Sequence, residues 1–216
     1  MTQTQAPAPR EKRTFSYRLA NAISWPLLTV LFPVRYHNVE RSRLDAPYML
    51  IANHFSMLDP LIVGWKIKRY QIRYLGKKEL TNNPLLRAMF QSLRMIPVSR
   101  HNMDMGAIRA CVKAIGDKHV LGVFPEGTRY KQGIMKEMES GFALIALRAN
   151  VPLLPAYITE KPRLFHRVDC YYGSPVLPST LSGGGTNREA CERLMQGVSD
   201  LYDRMIDARE HGLPMP

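Results

Sequence analysis

Short apolar runs alternate along the chain with segments in which apolar residues recur at helical spacing. The apolar runs are rich in β-branched and aromatic residues, which is typical of buried strands. Strands are predicted at Tyr48–Ala52, Ile72–Leu75, Met95–Val98, Val120–Phe124, Leu153–Ile158 and Val168–Tyr172. Helices are predicted at Pro60–Lys68, Pro84–Leu93, Met103–Gly116 and Ser140–Ala149. This alternation predicts an α/β fold with a mixed, mostly buried sheet flanked by helices.

The segment Leu19–Val34 before the first strand is a run of 16 uncharged, mostly apolar residues. A membrane-spanning helix needs about 20 such residues, and Pro26 interrupts this run. Because Arg18 and Arg35 flank the run, the pattern favours a helical segment that lies in the membrane interface. The alternative is a helix buried in the protein. A signal peptide is disfavoured, because no A-x-A-like cleavage site follows directly.

The two ends of the chain differ from its middle. Met1–Arg13 is rich in Gln, Pro and Ala, which predicts a mobile tail. Ser182–Gly185 predicts a linker, and Thr186 with Glu189 has the spacing of a capping box before an amphipathic helix over Asn187–Arg209. The expected organisation is a tail (1–13), a membrane-associating helical segment (14–34), an α/β domain (35–180), and a linker with a C-terminal helix (181–216).

Composition adds information about the partners. The 216 residues contain 30 Lys and Arg against 18 Asp and Glu, a formal net charge of +12, and nearly all of the excess lies in the first hundred residues. A basic half indicates an anionic partner, which can be nucleic acid, an acidic membrane surface or a phosphorylated substrate. We expect no nucleic acid, because RNP motifs, zinc-finger spacing and basic-helix patterns are missing. Candidates for contact with anionic headgroups are Lys66, Lys68, Arg69, Arg73, Lys77 and Lys78.

The cysteines give no chemistry of their own. Cys111, Cys170 and Cys191 are widely spaced and odd in number, so they indicate neither a disulfide framework nor a zinc site. We interpret them as structural thiols in a reducing, cytosolic setting, and we expect no bound metal.

The first candidate for catalysis follows the predicted strand Tyr48–Ala52. His54 leaves that strand, and Asp59 comes five residues later. The carboxylate can bond one imidazole nitrogen, fix the tautomer of the ring, and leave the other nitrogen free as a general base. In the alternative interpretation His54 is structural, and Asp59 with Pro60 forms the N-cap and first position of a helix.

The second candidate is the polar loop Phe124–Arg129 at the end of a predicted strand. It combines a carboxylate, a glycine, a hydroxyl and Arg129 where open α/β sheets bind ligands. A guanidinium can bind phosphate through two hydrogen bonds. The alternative is a surface turn with a Glu–Arg ion pair. Arg100, just beyond the predicted strand Met95–Val98, is a third candidate.

Taken together, four sequence blocks occur in a fixed order. They are Asn-His-x-x-x-x-Asp at 53–59, Ile-Pro-Val-x-Arg at 96–100, Phe-Pro-Glu-Gly-Thr-Arg at 124–129 and Val-Pro-Leu-Leu-Pro at 151–155. The chain resembles the glycerolipid acyltransferases in these blocks, most closely the bacterial 1-acyl-sn-glycerol-3-phosphate acyltransferase type. The resemblance covers about residues 35–175. Two positions depart from it: Arg94 stands where the family usually has Gly, and Glu139 stands where it often has Lys.

The resemblance implies a role for each matched residue. His54 would be the general base that deprotonates the acceptor hydroxyl, and Asp59 would orient it. The residues implied in holding the glycerol phosphate of the acceptor are Arg100, Glu126, Gly127, Thr128 and Arg129. Val151–Pro155 would lie on the acyl side of the site.

The implied reaction is transfer of a fatty acyl group to the free hydroxyl of 1-acyl-glycerol-3-phosphate, which forms phosphatidic acid. The donor would be an acyl thioester, either acyl-CoA or acyl carrier protein, and no cofactor or acyl-enzyme is expected. The alternatives are an O-acyltransferase for a different lysolipid acceptor and an acyl thioesterase. Such substrates favour a peripheral or monotopic enzyme on an anionic membrane surface, at the cytoplasmic face of the inner membrane.

Overall fold

The fold is built around one central β-sheet. The computed structural model of the chain describes residues 14–84, 87–88, 91, 93–98, 105–129 and 133–216. In this part of the chain the strands are β1 (Val34–His37), β2 (Tyr48–Ala52), β3 (Ile72–Lys77), β4 (Ile96–Val98), β5 (Val120–Val123), β6 (Leu153–Ile158) and β7 (Val168–Tyr172). Their spatial order is β1-β7-β6-β2-β5-β3-β4. Neighbouring strands are parallel except β6 and β7, which are antiparallel. The predicted mixed α/β sheet is therefore confirmed.

Helices cover both faces of this sheet. The described helices are α1 (Phe15–Pro26), α2 (Asp59–Gly64), α3 (Met105–Gly116), α4 (Ser140–Ala149), α5 (Pro178–Ser182) and α6 (Arg188–His211), with short 3-10 helices at Val39–Arg43 and Lys78–Asn82. The prediction for α4 is confirmed, whereas α2 ends four residues earlier than predicted, at Gly64. The sequence did not predict β1 or α5. The helix predicted over Pro84–Leu93 lies largely outside the described residues, and the tail 1–13 lies wholly outside them.

Alternate residues of β2 show how the core is divided between the two faces. Met49 and Ile51 belong to the apolar cluster formed with α3, α4 and α6, whereas Leu50 and Ala52 pack in the cluster on the α2 side. All five residues of β2 are buried. A strand that is buried on both faces is typical of a parallel sheet whose crossover connections are helices.

The C-terminal helix α6 is fixed to the centre of the sheet. The Tyr202 hydroxyl, fully buried, makes 3.0 Å hydrogen bonds to the carbonyl oxygens of Ile51 and Ala156, in β2 and β6. The predicted capping box is wrong. The N-cap is Asn187, whose side chain accepts a 2.9 Å hydrogen bond from Ala190 N, so Thr186 lies one residue too early to cap the helix.

The N-terminal segment is helical, as predicted. Helix α1 ends at Pro26 and continues as a π-helical turn over Leu27–Leu31. Leu28 is buried in the core, whereas Phe15 and Ile23 are 80% and 61% exposed. Among the described residues, no helix combines the length and the apolar character that crossing a bilayer requires. Contact of this segment with a membrane stays a prediction.

Candidate active site

The site begins where β2 leaves the sheet. The Asn53 side chain, fully buried, donates a hydrogen bond to the carbonyl oxygen of Ile158 and accepts one from its N–H, both 2.9 Å long. These two bonds take the place of main-chain pairing at the ends of β2 and β6. They satisfy buried polar groups that would otherwise be costly, and they fix the point at which the chain turns out to His54.

His54 and Asp59 form the predicted pair. His54 Nδ1 lies 2.8 Å from Asp59 Oδ2, and the side chains are 17% and 0% exposed. A carboxylate only accepts hydrogen bonds, so Nδ1 carries the hydrogen and Nε2 keeps its lone pair. The geometry therefore presents one basic ring nitrogen for proton transfer.

The loop between the two residues is built around the Asp59 carboxylate. Oδ2 also accepts hydrogen bonds from the N–H groups of Phe55 and Ser56, at 2.5 and 2.6 Å, and Oδ1 accepts one of 3.0 Å from the Ser56 hydroxyl. The N-cap alternative for Asp59 is wrong, because α2 begins at Asp59 itself and Leu58 precedes it as the N-cap residue. The carboxylate turns back toward the loop instead of capping the helix.

The second predicted element, the loop after β5, lies against this first one. The ring of Phe124 stacks on that of His54, with centroids 4.2 Å apart and planes 25° from parallel. The ring of Tyr74 in turn stacks on that of Phe124, with centroids 6.0 Å apart. The imidazole is thus held by a hydrogen bond at Nδ1 and by an aromatic contact on its face.

Glu126 joins two main-chain segments. It is buried, its Oε2 accepts a 2.9 Å hydrogen bond from His54 N, and its Oε1 accepts a 2.9 Å hydrogen bond from Met135 N. Burial raises the pKa of this carboxyl, and the two N–H donors act in the opposite direction. The surface ion pair with Arg129 considered for this loop is absent from the described contacts. Glu126 positions the His54 loop, and its direct contact with substrate stays a prediction.

The rest of the loop is open to solvent. Gly127 has φ +63°, and a Cβ at this position would lie 2.5 Å from Cγ of Glu139, so the turn requires glycine. Thr128 and Arg129 are exposed. Because Arg129 follows Glu126 by three residues, its Cα lies within about 11 Å of that of Glu126.

Two predicted elements remain, Arg100 and the block Val151–Pro155. Arg100 falls outside the described residues. Val151–Pro155 forms the approach to β6 and its first residues, where Met49 N donates a 2.9 Å hydrogen bond to Pro152 O. The described contacts of this block are structural, and its contact with an acyl chain stays a prediction.

Sequence reasoning missed three supporting groups: the Ser56 hydroxyl, the Phe124 ring and the Met135 N–H. The only sequence signal was a serine three residues before Asp59, a spacing typical of side chain–main chain hydrogen bonds. The contacts of Phe124 and Met135 depend on the tertiary fold, and residue spacing does not reveal them.

Among the described residues, no three His, Cys, Asp or Glu side chains are grouped as metal ligands. Cys111 and Cys170 are buried, and burial raises the pKa of the Cys111 thiol to about 12 and that of Cys170 further above its ordinary value. Both thiols are protonated near neutral pH, so neither is an activated nucleophile.

Comparisons with known proteins agree on the family. The model of the Acyltransferase family matches residues 33–159, more than half of the chain. The 1-acyl-sn-glycerol-3-phosphate acyltransferase of Bacillus subtilis is 29% identical over 137 residues, which cover 63% of this chain and 67% of that protein. The protein of the same name from Streptococcus pneumoniae is 26% identical over 178 residues, which cover 79% of this chain and 65% of that protein. The match thus spans about two thirds of the length of these relatives.

A solved structure has the same fold. The crystal structure of the 1-acyl-sn-glycerophosphate acyltransferase PlsC from Thermotoga maritima superposes with a TM-score of 0.63, covering 87% of this chain and 77% of that chain. The sequence identity is 22%, so this likeness concerns the fold alone.

Proposed function

The chain belongs to the acyltransferase family, and we propose that it transfers a fatty acyl group from an acyl thioester to the free hydroxyl of 1-acyl-glycerol-3-phosphate, forming phosphatidic acid. The observation that carries the proposal is the His54–Asp59 pair, 2.8 Å apart, at the carboxyl end of β2. The names of the bacterial relatives support this choice of acceptor.

In the proposed mechanism His54 acts as a general base. Its Nε2 removes the proton of the acceptor hydroxyl as the oxygen attacks the thioester carbonyl carbon. When the tetrahedral intermediate collapses, the C–S bond breaks and the imidazolium returns the proton to the thiolate. The buried Asp59 carboxylate stabilises the imidazolium between these steps.

We assign the acceptor phosphate to the exposed end of the loop after β5. Thr128 offers a hydroxyl and Arg129 a guanidinium, and Gly127 lets the main chain turn closely there. Arg100, implied by the family resemblance, would add a second cation. The donor is proposed to be acyl-CoA or acyl carrier protein, and no cofactor is required by these steps.

The lysolipid acceptor partitions into membranes and the acyl thioester donor is cytosolic, so we propose that the enzyme works as a peripheral or monotopic protein on an anionic bilayer, at the cytoplasmic face of the inner membrane. The exposed apolar residues of α1 support this location. Phe15, Leu19 and Ile23 are 80%, 48% and 61% exposed and follow one another at intervals of four residues, so they form a stripe on one side of the helix.

Thiol release from palmitoyl-CoA tests the function, measured with and without 1-acyl-glycerol-3-phosphate. We expect release that depends on the acceptor, and we expect His54→Ala to lower turnover by at least about 100-fold, since general-base catalysis contributes roughly 10²–10⁴-fold. Release without acceptor would instead indicate a thioesterase. Release only with a different lysolipid would reassign the acceptor.

His37→Ala is a matched control. His37 Nε2 also contacts a carboxylate, Asp169 Oδ1, at 2.6 Å, but it lies on β1, three strands away from β2 in the sheet. Turnover within a few-fold of the parent is expected for this variant. If His37→Ala and His54→Ala lower turnover equally, the assignment of the general base is wrong.

A further inference from the structure

The connection between β6 and β7 exposes apolar side chains at a well-defined place. Leu164 and Phe165 are 57% and 67% exposed, and we call these two residues the β6–β7 tip. Exposing two adjacent large apolar side chains in water is unfavourable, so a contiguous patch of this kind marks a surface that contacts something apolar.

The tip lies at the edge of the sheet that carries the catalytic pair. Strands β2 and β6 are parallel, with Ala52 aligned to Ala156, so the chain leaves both strands at the same edge. Asn53 is hydrogen-bonded to Ile158, the last residue of β6, and the connection to the tip starts there. The loop around His54 adds a further apolar side chain at this edge, because Met57 is 65% exposed.

The tip is also joined to the end of the N-terminal segment. Phe165 N donates a 2.6 Å hydrogen bond to the carbonyl oxygen of Leu31, and Val168 N donates one of 3.0 Å to Pro33 O. Val30 and Leu31 are 59% and 37% exposed. The exposed apolar surface at this edge therefore comes from two separate parts of the chain.

Cations surround the tip. Lys161, Arg163 and Arg167 are exposed on the same connection, and Glu160 is its only acidic residue between positions 160 and 167. Glu160 contacts Arg163 at 2.7 Å, which leaves a net positive charge of two around the apolar pair. Apolar side chains within a basic rim are complementary to the interface of an anionic bilayer.

Three of the basic residues that the sequence suggested for headgroup contact, Lys66, Lys68 and Arg69, lie away from the tip. Residues 66–71 directly precede β3. The first residues of β3 and β2, Ile72 and Tyr48, are both aligned with Val120 in β5, so residues 66–71 lie at the edge where β2 begins, opposite to His54. There Lys68 lies over the ring of Trp65 at 3.6 Å, and Arg69 pairs with Asp45 at 2.6 Å. The edge of the site carries the cations of the β6–β7 connection together with Lys77 and Lys78, which end and follow the parallel strand β3.

We propose that the β6–β7 tip inserts into the interface of an anionic phospholipid membrane and docks the His54 edge of the sheet against the bilayer. The apolar pair supplies insertion, and the surrounding cations supply attraction to anionic headgroups. The lipid acceptor then reaches His54 without leaving the membrane, and this last consequence alone rests on the proposed function.

Vesicle binding by the full chain tests the docking. The measurement compares sedimentation with vesicles of phosphatidylcholine alone and of phosphatidylcholine with phosphatidylglycerol. We expect the double variant Leu164→Ser/Phe165→Ser to bind the anionic vesicles at least about tenfold more weakly than the parent, because two large apolar side chains no longer insert. The variant Lys161→Gln/Arg167→Gln should lose most of the preference for anionic vesicles.

Leu213→Ser is the matched control. Leu213 is 55% exposed but lies near the C-terminus, at the opposite edge of the sheet. There Ser174 N, beyond the end of β7, donates a hydrogen bond to Pro216 O. The control variant should bind like the parent. Equal vesicle binding by the tip variant and this control would overturn the proposal. A tip variant that changes only the sedimentation of the protein without vesicles would also overturn it, because the tip would then be a contact between copies of the chain.

An activity measurement separates docking from catalysis. Thiol release by the tip variant should match the parent when the acceptor is in detergent micelles and fall when the acceptor is in vesicles. An equal loss in both would overturn docking as the role of the tip. If the parent itself releases no thiol, the proposed function fails, and the vesicle comparison still decides the docking.

Discussion

Replacing Asp59 with asparagine removes a charge while leaving the shape of the site almost unchanged. Oδ2 accepts three hydrogen bonds, from His54 Nδ1 and from the N–H groups of Phe55 and Ser56. Within the described part of the chain, Oδ1 contacts only the Ser56 hydroxyl, which can also accept. The amide of the introduced asparagine would therefore place its oxygen toward the three donors and its NH₂ toward the hydroxyl. The tautomer of His54 is kept, and the negative charge is lost.

The charge matters most when His54 becomes an imidazolium. The carboxylate is fully buried and the imidazole is 17% exposed, so water screens the pair weakly. Removing one partner of a buried pair costs roughly 3–5 kcal/mol, which corresponds to two to almost four decades in rate. The folded state loses less, about 1–3 kcal/mol, because the hydrogen bonds persist in weaker, neutral form.

The assay is kcat for Asp59→Asn alongside thermal unfolding. We expect kcat to fall at least about 100-fold and Tm to fall by roughly 2–10 °C. Ser56→Ala is the matched control, since it removes a hydrogen bond to Oδ1 and the acceptor of Leu58 N without touching His54. It should lower Tm comparably and kcat by no more than a few-fold. A folded Asp59→Asn enzyme with kcat within about threefold of the parent would show that the Asp59 charge does not stabilise the imidazolium.

Three further substitutions test local structure through thermal unfolding. Gly127→Ala should lower the free energy of unfolding by about 1–3 kcal/mol, because its φ is +63° and the added Cβ clashes with Glu139. Adding Glu139→Ala should restore part of that loss, and no restoration would rule out the clash. Arg94→Gly should raise Tm by a few degrees, because Arg94 has φ +53°; a lower Tm would refute strain there. Asn53→Ala should cost about 2–4 kcal/mol, because both main-chain groups of Ile158 lose their partners, and an unchanged Tm would contradict this.

The strands that the sequence predicted are those whose apolar runs are continuous. β2 and β6 are buried along their whole length, so their runs had sharp ends. β1 was not predicted, because its four residues, Val34–His37, form an edge strand that is not fully buried. It also follows directly on an apolar segment, so the pattern gave no boundary at which the strand begins. Pattern reasoning depends on burial, and an edge strand provides little of it.

The residues of the candidate site also differ in how far the sequence alone could predict their roles. The His54–Asp59 pair was predictable because both partners lie in one loop, five residues apart, where spacing limits the geometry. The role of Glu126 was not predictable, because its partners lie 72 and 9 residues away and both are main-chain N–H groups, which every residue type except proline supplies. The substrate contact that the family resemblance implies for Glu126 stays a prediction, and the described hydrogen bonds of its carboxylate are to main-chain N–H groups.

The departure at Arg94 also has a structural reading. The family resemblance placed glycine at this position, and the observed φ of +53° is a conformation that glycine adopts at little cost. The main chain has thus kept the left-handed turn before β4 although the side chain changed.

The contacts of Glu126 make the base and the acceptor loop a single unit. The same residue that receives the N–H of His54 begins the turn that leads to Arg129, and Phe124, two residues before it, stacks on the imidazole. If the loop binds the acceptor phosphate as proposed, a shift that includes Phe124 or Glu126 would move the hydrogen bond at His54 N or the stacking on its ring. Under the proposed mechanism these two contacts would couple acceptor binding to the placement of His54, so substitutions at Phe124 or Glu126 should change kcat together with KM.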